Sequence, residues 1–311
     1  MSSWRAAVRA RGRAGDLPRR GAPRARVLTT EDLADARNVC ALDPVGAVLA
    51  AARLDVAAAV GFGAAGGQAW GFPDSGPLAA ICWSGANLVP VVPPSVTGAD
   101  AVDAVLAFAR MARAQGRRSS SVVGERSAAL ALWDELSRSW PAAREVRPDQ
   151  PSLAIDRDPD VEPDPAVRRA RLDELGLVLP ACVRMFAEEV GYAPVATPGS
   201  AYALRVRSLV AEGRSFVRVD GEVPGGDPVV AFKAELGAVA GGVAQVQGVW
   251  VDPTLRGRGL AAPGMAALVV ETRRVVAPVV SLYVNSFNAP ALATYRRVGF
   301  EQVGTFATVL F

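Results

Sequence analysis

A chain of 311 residues, half of them hydrophobic and 21% charged, is globular and long enough for two cores of ordinary size. Its apolar stretches are interrupted, for example by Arg53 and Asp55, well short of the ~20 residues a membrane-spanning helix needs, so no membrane partner is expected. The net charge of +3 includes eight Arg and one acid, Asp16, within Met1–Arg26; the basic excess belongs to a Gly-, Pro- and Arg-rich tail, and no nucleic-acid partner is expected.

Residues 1–26 read as a disordered basic tail that lacks the apolar core of a secretory signal, which makes the cytoplasm the expected location. Thr30 is placed to cap a helix that starts with Glu31 and Asp32 and keeps helical spacing to Leu54. Strand-like runs follow at Ala69–Phe72, Leu78–Trp83 and Leu88–Val92, then a helix over Ala99–Ala114, a strand at Ser120–Val123 and a helix over Ser127–Ser139. The Asp- and Pro-rich segment Asp156–Pro165 reads as an extended, solvated connection, so residues 156–166 are assigned as a linker between domains at 27–155 and 167–311. Beyond it, helices are expected over Leu172–Val190 and Ser200–Glu212 and strands at Ser215–Val219, Val229–Glu235 and Val243–Val251. A helix over Gly259–Arg274, a strand at Val279–Val284, a helix over Ala289–Val298 and a last strand at Thr305–Phe311 complete the series. The fold class is α/β with mixed, α+β-type sheets. The strand–helix order of Leu88–Ser139 recurs over Val243–Val298, which suggests a duplicated fold.

The chain has no histidine, which removes Ser-His and Cys-His relays and His-metal sites, and no metal is expected. Cys40, Cys82 and Cys182 are odd in number and lie among apolar neighbours, as free buried thiols do. Lys233 stands alone among Arg residues and reads as a compositional bias. The informative stretch is Gln247–Ala261: a strand ends at Val251, Asp252-Pro253 turns the chain, and a run of Arg and Gly opens a helix. Free N–H groups and the positive end of a helix dipole meet there, and glycines 257 and 259 let the backbone approach a phosphate. A dinucleotide site is disfavoured because five residues, Asp252–Arg256, separate the strand from the glycines and no acid lies about 20 residues on. On the later helix Leu292, Tyr295 and Val298 share a face, as core residues would, and Asn288 can cap it.

The run Arg256-Gly257-Arg258-Gly259-Leu260-Ala261, followed by Asn288-Ala289-Pro290-Ala291, Tyr295 and Gly299-Phe300, resembles the two signatures of the Gcn5-related N-acetyltransferase (GNAT) family over about residues 168–311. The resemblance implies a GNAT fold in the C-terminal domain, preceded by a degenerate GNAT-like N-terminal domain, and an N-acyltransferase that uses acetyl-CoA. It implies that residues 256–261 hold the pyrophosphate and that backbone groups of Val249 and Val251 pair with the pantetheine, whose arm Asn288 also contacts. The Val249 N–H would face the oxyanion, and Tyr295 would protonate the departing thiolate. The acceptor would be a small-molecule or protein amine attacking directly. For the base, residues 245, 247, 249 and 251 are expected to share one strand face, and Gln245 stands where some relatives carry a catalytic Glu. Glu235 is therefore the first candidate, with Glu188 and Glu189 after it. An acyl-CoA sensor is the alternative, given Gln245; transfer from acyl-tRNA is disfavoured by the intact loop. Val92–Gly98 lacks the Arg-Gly pattern, so the N-terminal domain is not expected to bind CoA and would frame the acceptor, mediate a homodimer or stabilise its neighbour.

Overall fold

The computed structural model describes residues 22–221 and 228–311. Most of the basic tail lies outside these residues, but Arg26 does not: it opens strand β1 (Arg26–Val27), pairs with Gly71, and donates to Pro73 O at 2.8 Å. The chain divides into two compact units, one reaching to Pro151 and including Gly304–Phe311, the other covering Ser152–Val303.

In the first unit the cap sits one residue earlier than expected. Thr29 and Asp32 form a reciprocal capping box, and the helical run is split into α1 (Leu33–Ala41) and α2 (Pro44–Val60). Pro44 cannot continue a helix, and the Asp43 side chain caps the new one by accepting from Gly46 N at 3.0 Å. Strands β2 (Gln68–Phe72), β3 (Ala80–Ser84) and β4 (Asn87–Val91) form an antiparallel meander; α3 (Gly98–Gln115) then leads to β5 (Ser121–Glu125), parallel to β4. Helix α4 (Arg126–Leu136) comes next, and the Glu125 side chain caps it by accepting from Ser127 N and Ala128 N. Trp70, Phe108 and Leu132 anchor this core, and Ala307 and Val309 complete it.

Those last two residues lie on β12 (Glu301–Leu310), whose residues Phe306–Leu310 pair antiparallel with β5. Residues Gly304–Phe311 thus belong to the first unit and not, as expected, to the C-terminal domain, while Glu301–Val303 stays with the second. A strand the sequence reading missed, β6 (Glu145–Ile155), is divided between the units: Ser152–Ile155 pairs antiparallel with β11 (Val279–Tyr283) in the second.

The second unit continues from β11 to β10 (Val243–Val251), β9 (Val229–Ala240), β8 (Ser215–Asp220) and β7 (Arg168–Arg169). Alternation sends Phe232, Ala234, Leu236, Ala244 and Val246 to the face covered by α7 (Ala261–Val275) and α8 (Ala289–Val298). Val217, Val230 and Trp250 face α5 (Leu175–Val190) and α6 (Ala201–Ala211) instead. The Asp- and Pro-rich segment has no helix or strand, but it is not a free connection. Asp160 N donates to Val298 O, Asp164 N donates to Pro263 O, and Asp158 and Asp164 pair with Arg273 and Arg218, which fastens it to the second unit.

Candidate functional site

Strands β10 and β11 run parallel but stay in register for three residues only, Val243↔Val279 to Gln245↔Ser281. Beyond Gln245 they separate, so among the described residues the β11-facing edge of Val246–Val251 has no strand partner. On its other side β10 also leaves the ladder: between Gln247↔Glu235 and Trp250↔Lys233 it uses one residue more than β9 does. This is a β-bulge, and Gly248 occupies it with φ of +62°, a conformation that disfavours side chains.

The bulge corrects the expectation that residues 245, 247, 249 and 251 share a face. Gln247 pairs opposite Glu235 and Trp250 opposite Lys233, on the α5 and α6 side, whereas Val249 and Val251 pack on the α7 and α8 core. An inserted residue reverses the alternation for everything after it. Gln245 is buried, its Nε2 has no partner, and it lies before the reversal, so it does not share a face with Val249.

After Val251 the chain turns through a short 3-10 segment, Pro253–Leu255. Asp252 caps it, accepting from Thr254 N at 2.9 Å and Thr254 Oγ1 at 2.7 Å, and these bonds hold the Asp252 carboxyl below its usual range. Arg256 to Gly259 are largely exposed, Gly257 and Gly259 both have φ of +77°, and a Cβ on either would meet nothing within 4 Å. Leu260 stands at the N-terminus of α7, where first-turn N–H groups have no intrahelical acceptor. The loop is therefore exposed, with open space around both glycines and the free first-turn N–H groups of α7 at its end, features that suit a pyrophosphate. Arg256 bends back: its Nε donates to Val251 O at 3.1 Å and its guanidinium pairs with Glu188 of α5. Glu188 also accepts from Trp250 Nε1 at 3.3 Å, so α5 is fastened to both the strand end and the loop.

Asn288 caps α8, its side chain accepting from Ala291 N at 3.2 Å. Tyr295 is buried with Leu292 and Val298, as the core reading requires, and stacks edge-on against Phe300 at 6.0 Å. Burial, with a smaller effect from the Glu189 charge, pushes its phenol above the usual range, so it stays protonated at any working pH.

Residues 202–300 match the model of the acetyltransferase (GNAT) family, and residues 67–178 match a domain of unknown function, DUF4081. The chain carries a GNAT acetyltransferase domain. No curated protein sequence matches the chain significantly. Among solved structures, a tandem GNAT protein from the clavulanic acid biosynthesis pathway is similar at 15% identity and a TM-score of 0.55, over 91% of this chain and 97% of that one. A GCN5-related N-acetyltransferase from Sphaerobacter thermophilus is similar at 19% identity and 0.53, over 92% and 94% of the two chains. A GNAT-family acetyltransferase from Colwellia psychrerythraea is similar at 13% and 0.51, over 93% and 99%. These likenesses are of fold, and they extend through the N-terminal half, whose GNAT-like element order is thereby matched in space.

Within the GNAT domain the residues named from the sequence fall into two places. Val249, Val251 and Tyr295 pack on the α7–α8 side, and the loop leads into α7. Glu235 lies on the opposite face, in the middle of β9 and not at its end as expected, and it is buried. Its Oε1 is 2.8 Å from Lys233 Nζ and accepts from Cys182 Sγ at 3.3 Å. Burial alone would raise the Glu235 carboxyl, but the Lys233 charge and hydrogen bond, the Cys182 hydrogen bond and the Arg205 charge together hold the group below its ordinary value; burial pushes the Cys182 thiol up to about 12. Sequence reasoning missed Lys233, which is fully buried and also donates to Gly248 O at 3.0 Å. A lone Gly inside a strand of bulky residues was the available signal for the bulge. Among the described residues no cluster of three or more His, Cys, Asp or Glu could hold a metal.

Proposed function

We propose that this N-acetyltransferase moves an acetyl or similar acyl group from acyl-CoA to an amine by direct attack at the thioester. The observation that carries the reading is the edge of β10 left without a strand partner among the described residues, which runs from the Gly248 bulge to the exposed glycine loop Arg256–Gly259 at the start of α7. Acyl-CoA supplies the activated acyl group and a thiolate leaving group. The chain's residues fit it: the backbone of Val249 and Val251 offers strand-like hydrogen bonds, and the loop amides with Arg258 take the pyrophosphate. Asn288, while capping α8, would contact the pantetheine arm, as the family resemblance implies. The Val249 N–H serves as oxyanion donor.

Tyr295 acts on the leaving group. Because burial keeps its phenol protonated, its first contribution is a hydrogen bond to sulfur as negative charge develops there. The proton of the attacking amine goes to a carboxylate. Glu235 is a poor acceptor while Lys233 and Cys182 hold its charge, whereas Glu189 is exposed on α5 and its charge is felt at Tyr295. Glu189 is the better-supported base. The deciding experiment follows free thiol from acetyl-CoA across amines, amino acids, peptides and aminoglycosides. Turnover with any acceptor supports the enzyme, and acetyl-CoA binding without turnover on the whole panel would favour a sensor.

A further inference from the structure

The sole lysine among the chain's 34 Lys and Arg residues is buried beside the bulge that the reaction is proposed to use. Its Nζ lies near Glu235 Oε1 at 2.8 Å, Gly248 O at 3.0 Å and Met185 Sδ at 3.3 Å, and it also interacts with the Cys182 thiol. A Cβ on Gly248 would stand 3.0 Å from Met185 Sδ and 3.2 Å from Lys233 Nζ, so the peptide itself rests on this cluster. The bulge removes Gly248 from the β9 ladder, and the lysine ammonium provides the donor for its carbonyl.

We propose that Lys233 is a positioning residue for acyl transfer: by holding the Gly248 carbonyl on the α5 side, it aims the Val249 N–H into the opening between β10 and β11. The Gly248 carbonyl and the Val249 N–H belong to one peptide unit, and in a planar trans peptide they point in opposite directions. Fixing one fixes the other. A cation on the carbonyl oxygen also polarises the peptide and makes its N–H a stronger donor toward an oxyanion. Glu235 is then the counterion that allows an ammonium to stay charged in the core. Arginine does not substitute, since its fork is wide and presents several donors where one compact charge meets one carbonyl.

The inference rests on the acyltransferase reading, so its test has one readout that does not depend on turnover. The variant is Lys233→Met with Glu235→Gln, which removes both charges together and leaves neither ion unpaired. In the ligand-free protein, the amide resonance of Val249 is expected to shift in this variant, which tests the aim of the N–H directly. Calorimetry is expected to give an acetyl-CoA Kd within about threefold of wild type, while kcat falls about 10- to 100-fold, below the loss recorded when an oxyanion donor is removed outright. A kcat within twofold of wild type, or an unmoved Val249 amide, overturns the proposal. If the wild type turns over no acceptor, the acyltransferase reading fails by itself, and the Val249 resonance still decides the clamp.

A pH profile separates counterion from base. The groups facing the pair are Cys182 and Met185 from α5 and Tyr202 and Arg205 from α6; burial raises both the thiol and the phenol, so neither titrates near neutrality. In Glu235→Gln the unpaired buried lysine loses its proton more easily, and the alkaline limb of kcat moves to lower pH. Disappearance of the acidic limb instead would make Glu235 the base and overturn its role here.

Discussion

Tyr295 packs like a core residue and yet stands in the sequence where the acid is expected, and the two roles separate by substitution. Tyr295→Phe keeps the ring against Phe300 and removes only a hydroxyl. Its melting temperature should change little and acetyl-CoA affinity should hold, while kcat falls about 10²-fold or more, the usual scale for a lost general acid. Unchanged turnover would leave Tyr295 a core aromatic. At Gly259 the φ of +77° matters for the choice of probe, since most side chains would strain the loop before meeting any ligand. Asn and Asp tolerate that region best and differ by one charge. Gly259→Asn should bind acetyl-CoA at least about tenfold more tightly than Gly259→Asp in calorimetric titration, because only the second sets a negative charge against the pyrophosphate. Equal affinities would remove the pyrophosphate from this loop.

At the scale of elements, the Asp- and Pro-rich segment behaves differently from its composition. Proline excludes helix and central strand there, but the carboxylates find Arg157, Arg218 and Arg273, and two backbone N–H groups bond to Val298 and Pro263. Most of these pairs are exposed and individually weak. Together with the backbone bonds they hold the strap against α7 and α8. Limited proteolysis of the native protein should therefore spare residues 156–165, and early cleavage there would show that the strap opens.

At the scale of the molecule, the placement of charges and strands has two consequences. Glu235 has its folded pKa held below 4.5 and Lys233 has its own raised above 10.5, through each other, against the burial that opposes both charges. The Glu235 contribution is fully present above about pH 4.5 and is lost as pH falls through its folded pKa; the Lys233 contribution is fully present below about pH 10.5 and is lost as pH rises through its own. Relative to the double Lys233→Met, Glu235→Gln variant, the wild-type melting temperature should drop at both ends of the pH range and run parallel between. A constant difference at all pH values would mean the pair is not ionised. The C-terminal strand gives the second consequence. Phe306 is buried in the first unit, so Phe306→Ala should destabilise that unit by about 3–5 kcal/mol. Fluorescence of Trp70, Trp83, Trp133 and Trp140, which all lie there, should report it.

The sequence by itself determined the elements with a clear period, the turn glycines and the Arg-Gly loop ahead of α7. Each of these is set by local stereochemistry: φ above zero favours Gly, a helix start leaves free N–H groups, and Asn288 caps the helix that begins at Ala289. Long-range pairing was decided only by the tertiary structure. Pro148 and Pro151 interrupt β6 and deprive it of a clear local signal, and pairing with β11 is what makes Ser152–Ile155 a strand. Nothing local in Gly304–Phe311 states that it pairs with β5, far earlier in the chain. The single extra residue at Gly248 reversed every face assigned downstream of it, and Lys233, an isolated lysine in the sequence, acquired its meaning only when β9 was laid beside that bulge. A strand's faces and a buried ion's partners are fixed by register, and register is a property of two segments together.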